Sequence, residues 1–416
     1  MPEIERMAGI ECYCTSFAGT GGAIKQNSSQ FQVSELVDAG LLSDVSSTFD
    51  ERHRFPLYLL EKSGIDSNHA VLEIARRFNL KLRVMGIKDA KAVTRQYAGC
   101  ERQMRTPPAA LTTGKVSIVL QGFTATPIGK RMLAGNRFRI TIEGPRRQDI
   151  DEFLPEVCRI GNFYGLQRFG GARLVTHLVG REIVRKDFKA AVELLLCFTT
   201  EYDSPFSREI REEMRDPVKF GSIMNRLPRG MDIERQVIGA LMQGRTYIQC
   251  LRTIPLQIRR LFVQSYQSYL FNRCLSTLIK SGEDITAPAQ GDLCFEMEAP
   301  HVFGRVIKFT GQGHSERPLV PAVHLAGTTL QGGKGRFESA TWKILRDEEV
   351  SPRDFYIKEM DELSQQGGFR QAPLHSYDFS YTRQPLAVSF SLPKGSYATI
   401  LLREIIKPGQ PIKSGF

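Results

Sequence analysis

The 416-residue chain has little cysteine, one tryptophan and no long apolar run. Its eight cysteines are too sparse for a disulfide scaffold, and the one close pair, Cys12 and Cys14, has no second pair to complete a zinc set. The strongest apolar run, Ala191 to Phe198, is broken by Glu193 and falls short of the roughly 18 residues that a membrane span needs. Met1 to Arg6 lacks the basic start and apolar centre of a secretory signal. These absences predict a cytoplasmic chain with reduced, mostly buried cysteines and no membrane partner. Catalytic signatures are missing too: there is no H-E-x-x-H, no G-x-S-x-G, and no G-x-G-x-x-G after a strand. Gly19 to Lys25 is glycine-rich, but it lacks phosphate-loop spacing and has Gln26 where a magnesium-binding hydroxyl would stand. No nucleotide cofactor is expected, and the glycines read instead as a tight turn presenting Lys25.

What the sequence does have is positive charge. Lys and Arg number 56 against 45 Asp and Glu, a net charge of +11. Between Ala75 and Val175 there are 19 basic and 7 acidic residues, so the whole excess lies in that segment. Its cations are spread through patterned sequence, as on a folded basic face, and point to a polyanionic partner; a merely solvated surface is the plainer alternative. A hydrophobic content of 41% and a charged content of 24% exclude a disordered or collagen-like chain. The length exceeds the roughly 250–300 residues at which single cores stop growing, so at least two domains, each with its own core, are expected.

Periodicity divides the chain by texture. Pro56 to Lys62 and Asn68 to Phe78 read as helices, the second capped by Ser67, whereas Leu80 to Val84, Val116 to Phe123 and Arg137 to Ile142 read as strands. Phe188 to Phe198 and Ile233 to Ser281 are helical in pattern, and Gly311 to Gly335 is polar and glycine-rich. After about Pro373 the period returns to two, with Val388, Phe390 and Leu392 on one face, a turn at Lys394-Gly395, and a last strand from Tyr397 to Ile405. A terminal hairpin of this kind could complete the N-terminal sheet and make the helical middle an insertion.

Three segments carry chemical potential. In Gly86-Ile87-Lys88-Asp89-Ala90-Lys91-Ala92-Val93-Thr94-Arg95-Gln96 a carboxylate stands among three cations after a glycine turn; a plain helix cap is the alternative. Asn162-Phe163-Tyr164-Gly165-Leu166-Gln167-Arg168-Phe169-Gly170 sets aromatics, amides and an arginine between glycines, residues that can stack on and hydrogen-bond an unpaired base or form a turn-rich core corner. Ser265 to Asn272 has an aromatic at every second or third helical position, a pattern more typical of core than of site.

Together these segments resemble the TruD family of tRNA pseudouridine synthases. Ile24-Lys25 with Phe31, Val33 and Glu35 is similar to its I-K-x-x-P-E-D-F-x-V-x-E; residues 86–96 resemble its G-x-K-D-x-x-A-x-T-x-Q, residues 162–170 its N-Y-F-G-x-Q-R-F-G, and residues 266–272 its Y-Q-S-y-l-F-N. Phe390 to Thr399 with Leu402-Arg403-Glu404 resembles F-S-L-P-x-G-S-Y-A-T…L-R-E, so the likeness spans nearly the whole chain, in order. Asn27 to Gln30 departs from the family's x-P-E-D.

The resemblance implies an α+β fold: a mixed-sheet pseudouridine-synthase catalytic domain built from residues 1–171 and 373–416, with a mainly helical insertion at 172–372. It implies a monomeric enzyme that isomerises uridine, at position 13 in the D arm of tRNA, with no cofactor and no metal. Asp89 would be the nucleophile, Lys25 its basic partner and Asn162 its orienting amide. Tyr164, where the bacterial pattern has Phe, would stack on the base and could accept a proton. The expected RNA contacts are Lys88, Lys91, Arg95, Gln167, Arg168, Arg137, Arg139, Arg146 and Arg147. The alternative is an RNA-binding or chaperone protein of the same fold without catalysis.

Overall fold

A computed structural model describes residues 1–228, 230–299, 302–311 and 316–416 of the chain. Seven strands come from its first third: β1 (Phe31–Val37), β2 (Phe55–Lys62), β3 (Leu82–Val84), β4 (Val93–Cys100), β5 (Ala110–Thr112), β6 (Val116–Thr124) and β7 (Leu133–Thr141). Helices fill the middle, followed by β8 (Leu293–Ala299), β9 (Val302–Lys308), β10 (Leu319–Leu325) and β11 (Gly368–Gln371). The chain ends with β12 (Tyr377–Arg383), β13 (Leu386–Pro393) and the helix Ala398–Ile406.

Among the described residues, a nine-stranded sheet runs β12-β13-β7-β1-β4-β2-β6-β5, with β3 beside β4. It is mixed: β1 and β4 are parallel, and β13 joins β7 antiparallel, with Phe390 opposite Phe138. The last strands of the chain therefore complete the sheet that its first third begins. The other sheet, β11-β10-β8-β9, lies wholly within the middle segment, which the periodic reading treats as helical. Its strand β10 occupies part of the glycine-rich stretch; residues 312–315 of that stretch lie outside the described residues.

Two assignments are reversed by burial. Pro56 to Lys62 is not a helix but an interior strand, with β4 on one side and β6 on the other. Pro56 stands near the start of this strand, where a proline is tolerated much as it is in a first helical turn. Tyr397 to Ile405 is not a strand: the helix Ala398–Ile406 has all nine residues buried, so it lacks the polar face that marks a helix, and its β-branched residues mimic a strand. The hairpin near the end is accordingly β12–β13. A smaller correction concerns the helix Ser67–Phe78, which is capped by Asp66 through the amides of Asn68 and His69, leaving Ser67 for another task.

The expected separate cores are largely one. A continuous apolar cluster joins Phe31, Phe138 and Phe390 of the sheet to Phe163 of the following loop, to Val179, Phe262 and Leu270 of the helices after it and to Leu401 and Ile405 near the end. A second cluster lies where the helix Ser67–Phe78 sets Ala70 and Ile74 beside Tyr58 and Leu60 of β2. No helix among the described residues is long and apolar enough to cross a membrane.

The two ends of the chain meet at a buried charge cluster. Arg403, 1% exposed, donates to Glu5 Oε1 at 2.8 Å, to Glu404 Oε1 at 2.5 Å and to the Cys12 carbonyl at 2.8 Å. Burial alone would lower its pKa, but the two carboxylates carry it upward. Replacing Arg403 with Ala would leave Glu5 and Glu404 buried without their counter-ion, a loss of about 3–5 kcal/mol. Urea denaturation is expected to show that loss, with partial recovery when Glu5 is also changed to Gln; an unchanged midpoint would mean that the cluster does not hold the ends together.

Candidate active site

The loop between β3 and β4 carries Asp89, and three anchors hold it. Lys62, on β2 and 2% exposed, donates its ammonium to the Asp89 carbonyl at 2.8 Å and to the Ile65 carbonyl at 2.9 Å. Burial pushes the Lys62 pKa down to about 8, against the opposing pull of Asp89 and Asp66. Ser67 Oγ accepts from the Lys88 amide at 2.9 Å and donates to Gln96 Oε1 at 2.7 Å. Lys88 Nζ pairs with the buried Glu35 at 2.7 Å, and Glu35 also accepts from the Tyr97 amide at 3.0 Å. Lys88 and Gln96 of the 86–96 motif are thus scaffold. Of the expected RNA contacts, Lys88 has its ammonium paired with Glu35.

Asp89 is exposed on the wall of a cavity of about 260 Å3, which Lys25, Phe31, Val33, Lys91, Asn136, Phe138, Gln167 and Tyr397 also line. Lys25 has left-handed backbone (φ 57°), and its ammonium lies 4.8 Å from the centre of the Phe31 ring. Burial lowers the Lys25 pKa, and Asp89 counteracts this. No Lys25–Asp89 ion pair forms among the described residues, although both side chains line the cavity. Asn136 Oδ1 is buried with no hydrogen-bond partner.

Two expected site residues stand back from this cavity. Asn162 accepts from Arg370 through Oδ1 at 2.9 Å and donates to the Gln371 carbonyl at 3.4 Å, so its amide is engaged away from Asp89. Tyr164 is stacked under the Arg370 guanidinium at 3.9 Å, with Phe271 at 5.4 Å and Tyr397 at 5.9 Å between ring centres. The ring that reaches the cavity is Tyr397. Tyr397 and Phe31 both stand within motif segments of the sequence, but nothing in those segments singles out either ring for the cavity. Lys62 had no signal beyond being a lysine in an apolar run.

The basic surface divides similarly. Arg95 pairs with Glu61 at 2.6 Å, Arg137 with Asp378 at 3.6 Å, and Arg147 with Glu152 at 3.1 Å. Arg168 is tied to the helix Leu256–Lys280 through Ser268 at 3.1 Å and Gln264 at 3.4 Å. Lys91, Arg139 and Arg146 are exposed and have no carboxylate partner among the described residues, and Gln167 is exposed beside Asp89. A larger apolar cavity of about 890 Å3, lined by Leu194, Phe198, Met214 and Leu241, contains none of the residues singled out from the sequence. No group of three or more His, Cys, Asp or Glu among the described residues is placed to hold a metal; Cys14 is instead an acceptor for the Gly161 amide at 3.2 Å.

The family model for tRNA pseudouridine synthase D (TruD) matches residues 7–405. A Methanopyrus kandleri protein named "Probable tRNA pseudouridine synthase D" is 34% identical over 86% of this chain and 87% of its own length. A Pyrobaculum islandicum protein of the same name is 29% identical over 100% of this chain and 99% of its own. In three dimensions, the crystal structure of a Methanosarcina mazei protein named as a tRNA pseudouridine synthase D (TruD) covers 98% of both chains with a TM-score of 0.79 and 25% identity.

Lys62 gives the Asp89 loop a test that does not depend on activity. Lys62→Met removes the donor from two carbonyls, at about 1–3 kcal/mol for each group left unsatisfied. Hydrogen exchange should quicken across residues 86–91 but not in β6; equal protection in both proteins would assign the loop to Ser67 and Lys88 alone. The pH dependence has a definite sign. Because the folded chain gives up the Lys62 proton near pH 8 and the unfolded chain near the ordinary lysine value, the unfolded state binds more protons in between, and the Lys62 contribution to stability grows as pH rises through that window. The difference in denaturation midpoint between wild type and Lys62→Met should therefore shift in favour of wild type from pH 8 to 10.

Proposed function

This chain belongs to the TruD family of tRNA pseudouridine synthases, and on that premise we propose that it converts a uridine of tRNA, uridine-13 in the D arm, to pseudouridine, with Asp89 as nucleophile. The observation that carries this reading is the meeting of Asp89, Lys25, Phe31 and Tyr397 around one small cavity. The reaction breaks the bond from ribose C1′ to uracil N1 and forms one from C1′ to C5; the proton lost at C5 is balanced by one gained at N1. There is no net oxidation and no second substrate, so the chemistry calls for no cofactor. An ionised carboxylate can attack ribose C1′ or uracil C6; in either route a covalent link to Asp89 forms and later breaks.

The walls suit a pyrimidine taken out of its stack. Phe31, Phe138 and Tyr397 supply aromatic faces, and stacking on such faces is worth about 1–3 kcal/mol per base, enough to offset much of the cost of flipping. Asn136 adds an amide side chain to the same wall. In this reading Tyr397 takes the stacking role expected of Tyr164, and Asn162 and Tyr164 support it from behind. Lys91, Arg139 and Arg146 are the cations free for phosphates. The middle segment, residues 172–372, acts as an insertion forming the far wall of the tRNA cleft, and the enzyme works in the cytoplasm.

Asp89→Asn keeps the shape of the side chain and removes the nucleophile. Release of tritium from tRNA labelled at uracil C5 should fall by roughly 1,000-fold or more, while tRNA binding stays within about threefold of wild type. Retained isomerisation would sink the assignment; binding by the wild type with no isomerisation at all would favour the RNA-binding alternative.

A further inference from the structure

A second cavity, of about 750 Å3, adjoins the first and shares Lys25, Asp89, Lys91 and Gln167 with it. Its opposite wall is the segment Ile412 to Phe416, which presents Lys413. This segment is held firmly. The Ile24 amide donates to the Ser414 carbonyl at 2.9 Å, and the Ser414, Gly415 and Phe416 amides bond back to Gln410, Ile412 and Pro411. Ile412 and Phe416 pack against the main core. Gly415 has φ +92°, and a β-carbon there would lie 2.1 Å from the Ile24 carbonyl oxygen, so only glycine lets the strap approach. The strap touches the residue next to Lys25, so Lys413 and Lys25 are placed by one set of contacts.

The charges of this cavity are unusual for the molecule. Around the Asp89 loop two cations are neutralised, Lys88 by Glu35 and Arg95 by Glu61. Lys91 and Lys413 are exposed, neither has an ion-pair partner among the described residues, and Asp89 is the one acidic side chain among those that line the cavity. A nucleoside seated in the smaller cavity must leave the phosphates on either side of its ribose outside it. A phosphodiester placed there would bring a negative charge toward the Asp89 carboxylate, and the approach is favourable only if nearby cations outweigh that repulsion.

We propose that Lys413, with Lys91 and Lys25, forms a subsite for a backbone phosphate of the RNA next to the target nucleotide. This rests on reading the site as one that acts on RNA. The subsite gives a reason why Ile412 to Phe416, from the other end of the chain, is fastened beside Lys25.

The test measures tRNA dissociation constants across a potassium chloride series, together with the single-turnover rate at saturating enzyme. Lys413→Ala is expected to weaken binding about tenfold at low salt and to reduce the slope of log Kd against log salt by about 0.7–0.9, the share of one phosphate contact. The saturated rate should stay within about twofold, and Lys413→Arg should restore both affinity and slope. Gly415→Ala, which displaces the strap, should reproduce the binding loss. Lys219→Ala, an exposed charge on the helical middle, serves as the control. The proposal is overturned if Lys413→Ala keeps the wild-type slope, if Lys219→Ala lowers it equally, or if only the saturated rate falls. Because affinity and slope are read without turnover, they judge the subsite even if Asp89 proves not to be the nucleophile.

Discussion

The active site depends on the ion cluster around Arg403. A guanidinium that is 1% exposed satisfies Glu5 from the first helix and Glu404 beside it in the last, and Glu404 also accepts from the Cys14 and Thr15 amides. Tyr13 lies between Arg403 at 4.1 Å and Lys407 at 4.7 Å, and Lys407 donates to the Thr15 carbonyl at 2.7 Å. Ionised groups this deeply buried are costly unless their partners are in place, so the cluster tolerates few alternatives to the observed docking of the two chain ends. That docking sets Tyr397 and Thr399, at the start of the last helix, opposite Lys25 and Phe31 from the beginning of the chain.

Within this frame the basic residues have two kinds of work. Lys88, Arg168 and Arg370 lie in or beside the motif segments, and each is used internally: Lys88 on Glu35, Arg168 on the helix Leu256–Lys280, and Arg370 on Asn162 and Tyr164. Their charges hold shape. Lys91, Arg139, Arg146 and Lys413 are exposed and have no ion-pair partner among the described residues. The sequence excess of positive charge between Ala75 and Val175 identifies a polyanion-binding region in outline, but ion pairing in the fold decides which cations of that region remain available.

The same distinction explains how far the fold and the site could be read in advance. The helix Ser67–Phe78 and the strands β6 and β7 are partly exposed, and their periodicity survives in the sequence. β2 and the helix Ala398–Ile406 are covered from nearly every side, so no polar face records their geometry, and both were assigned to the wrong class. Asp89 and Lys25 stand out in the sequence because each sits in a segment that resembles a family motif, and the fold sets both on the wall of one cavity. Tyr397, Lys62 and Lys413 do not stand out, because their roles arise from contacts between segments tens to hundreds of residues apart, and a lysine in isolation looks the same whether it binds phosphate or a buried carbonyl.

The segment 162–170 shows why a motif can be necessary to a site without lining it. Asn162 fixes Arg370, Arg370 lies flat on Tyr164, and Tyr164 packs its ring against Tyr397, which reaches the cavity. The Tyr164 amide and carbonyl are both bonded to Asn272, so the segment is also pinned to the long helix Leu256–Lys280. Arg370 is buried, and burial lowers its pKa, which makes the aromatic faces of Tyr164 and Phe271 and the Asn162 oxygen its means of staying charged. A change at Asn162 would thus reach the cavity through two intervening side chains as a displaced Tyr397. The aromatic wall and the Asp89 loop are held by different segments, and they meet at the cavity because both are tied to one packed core.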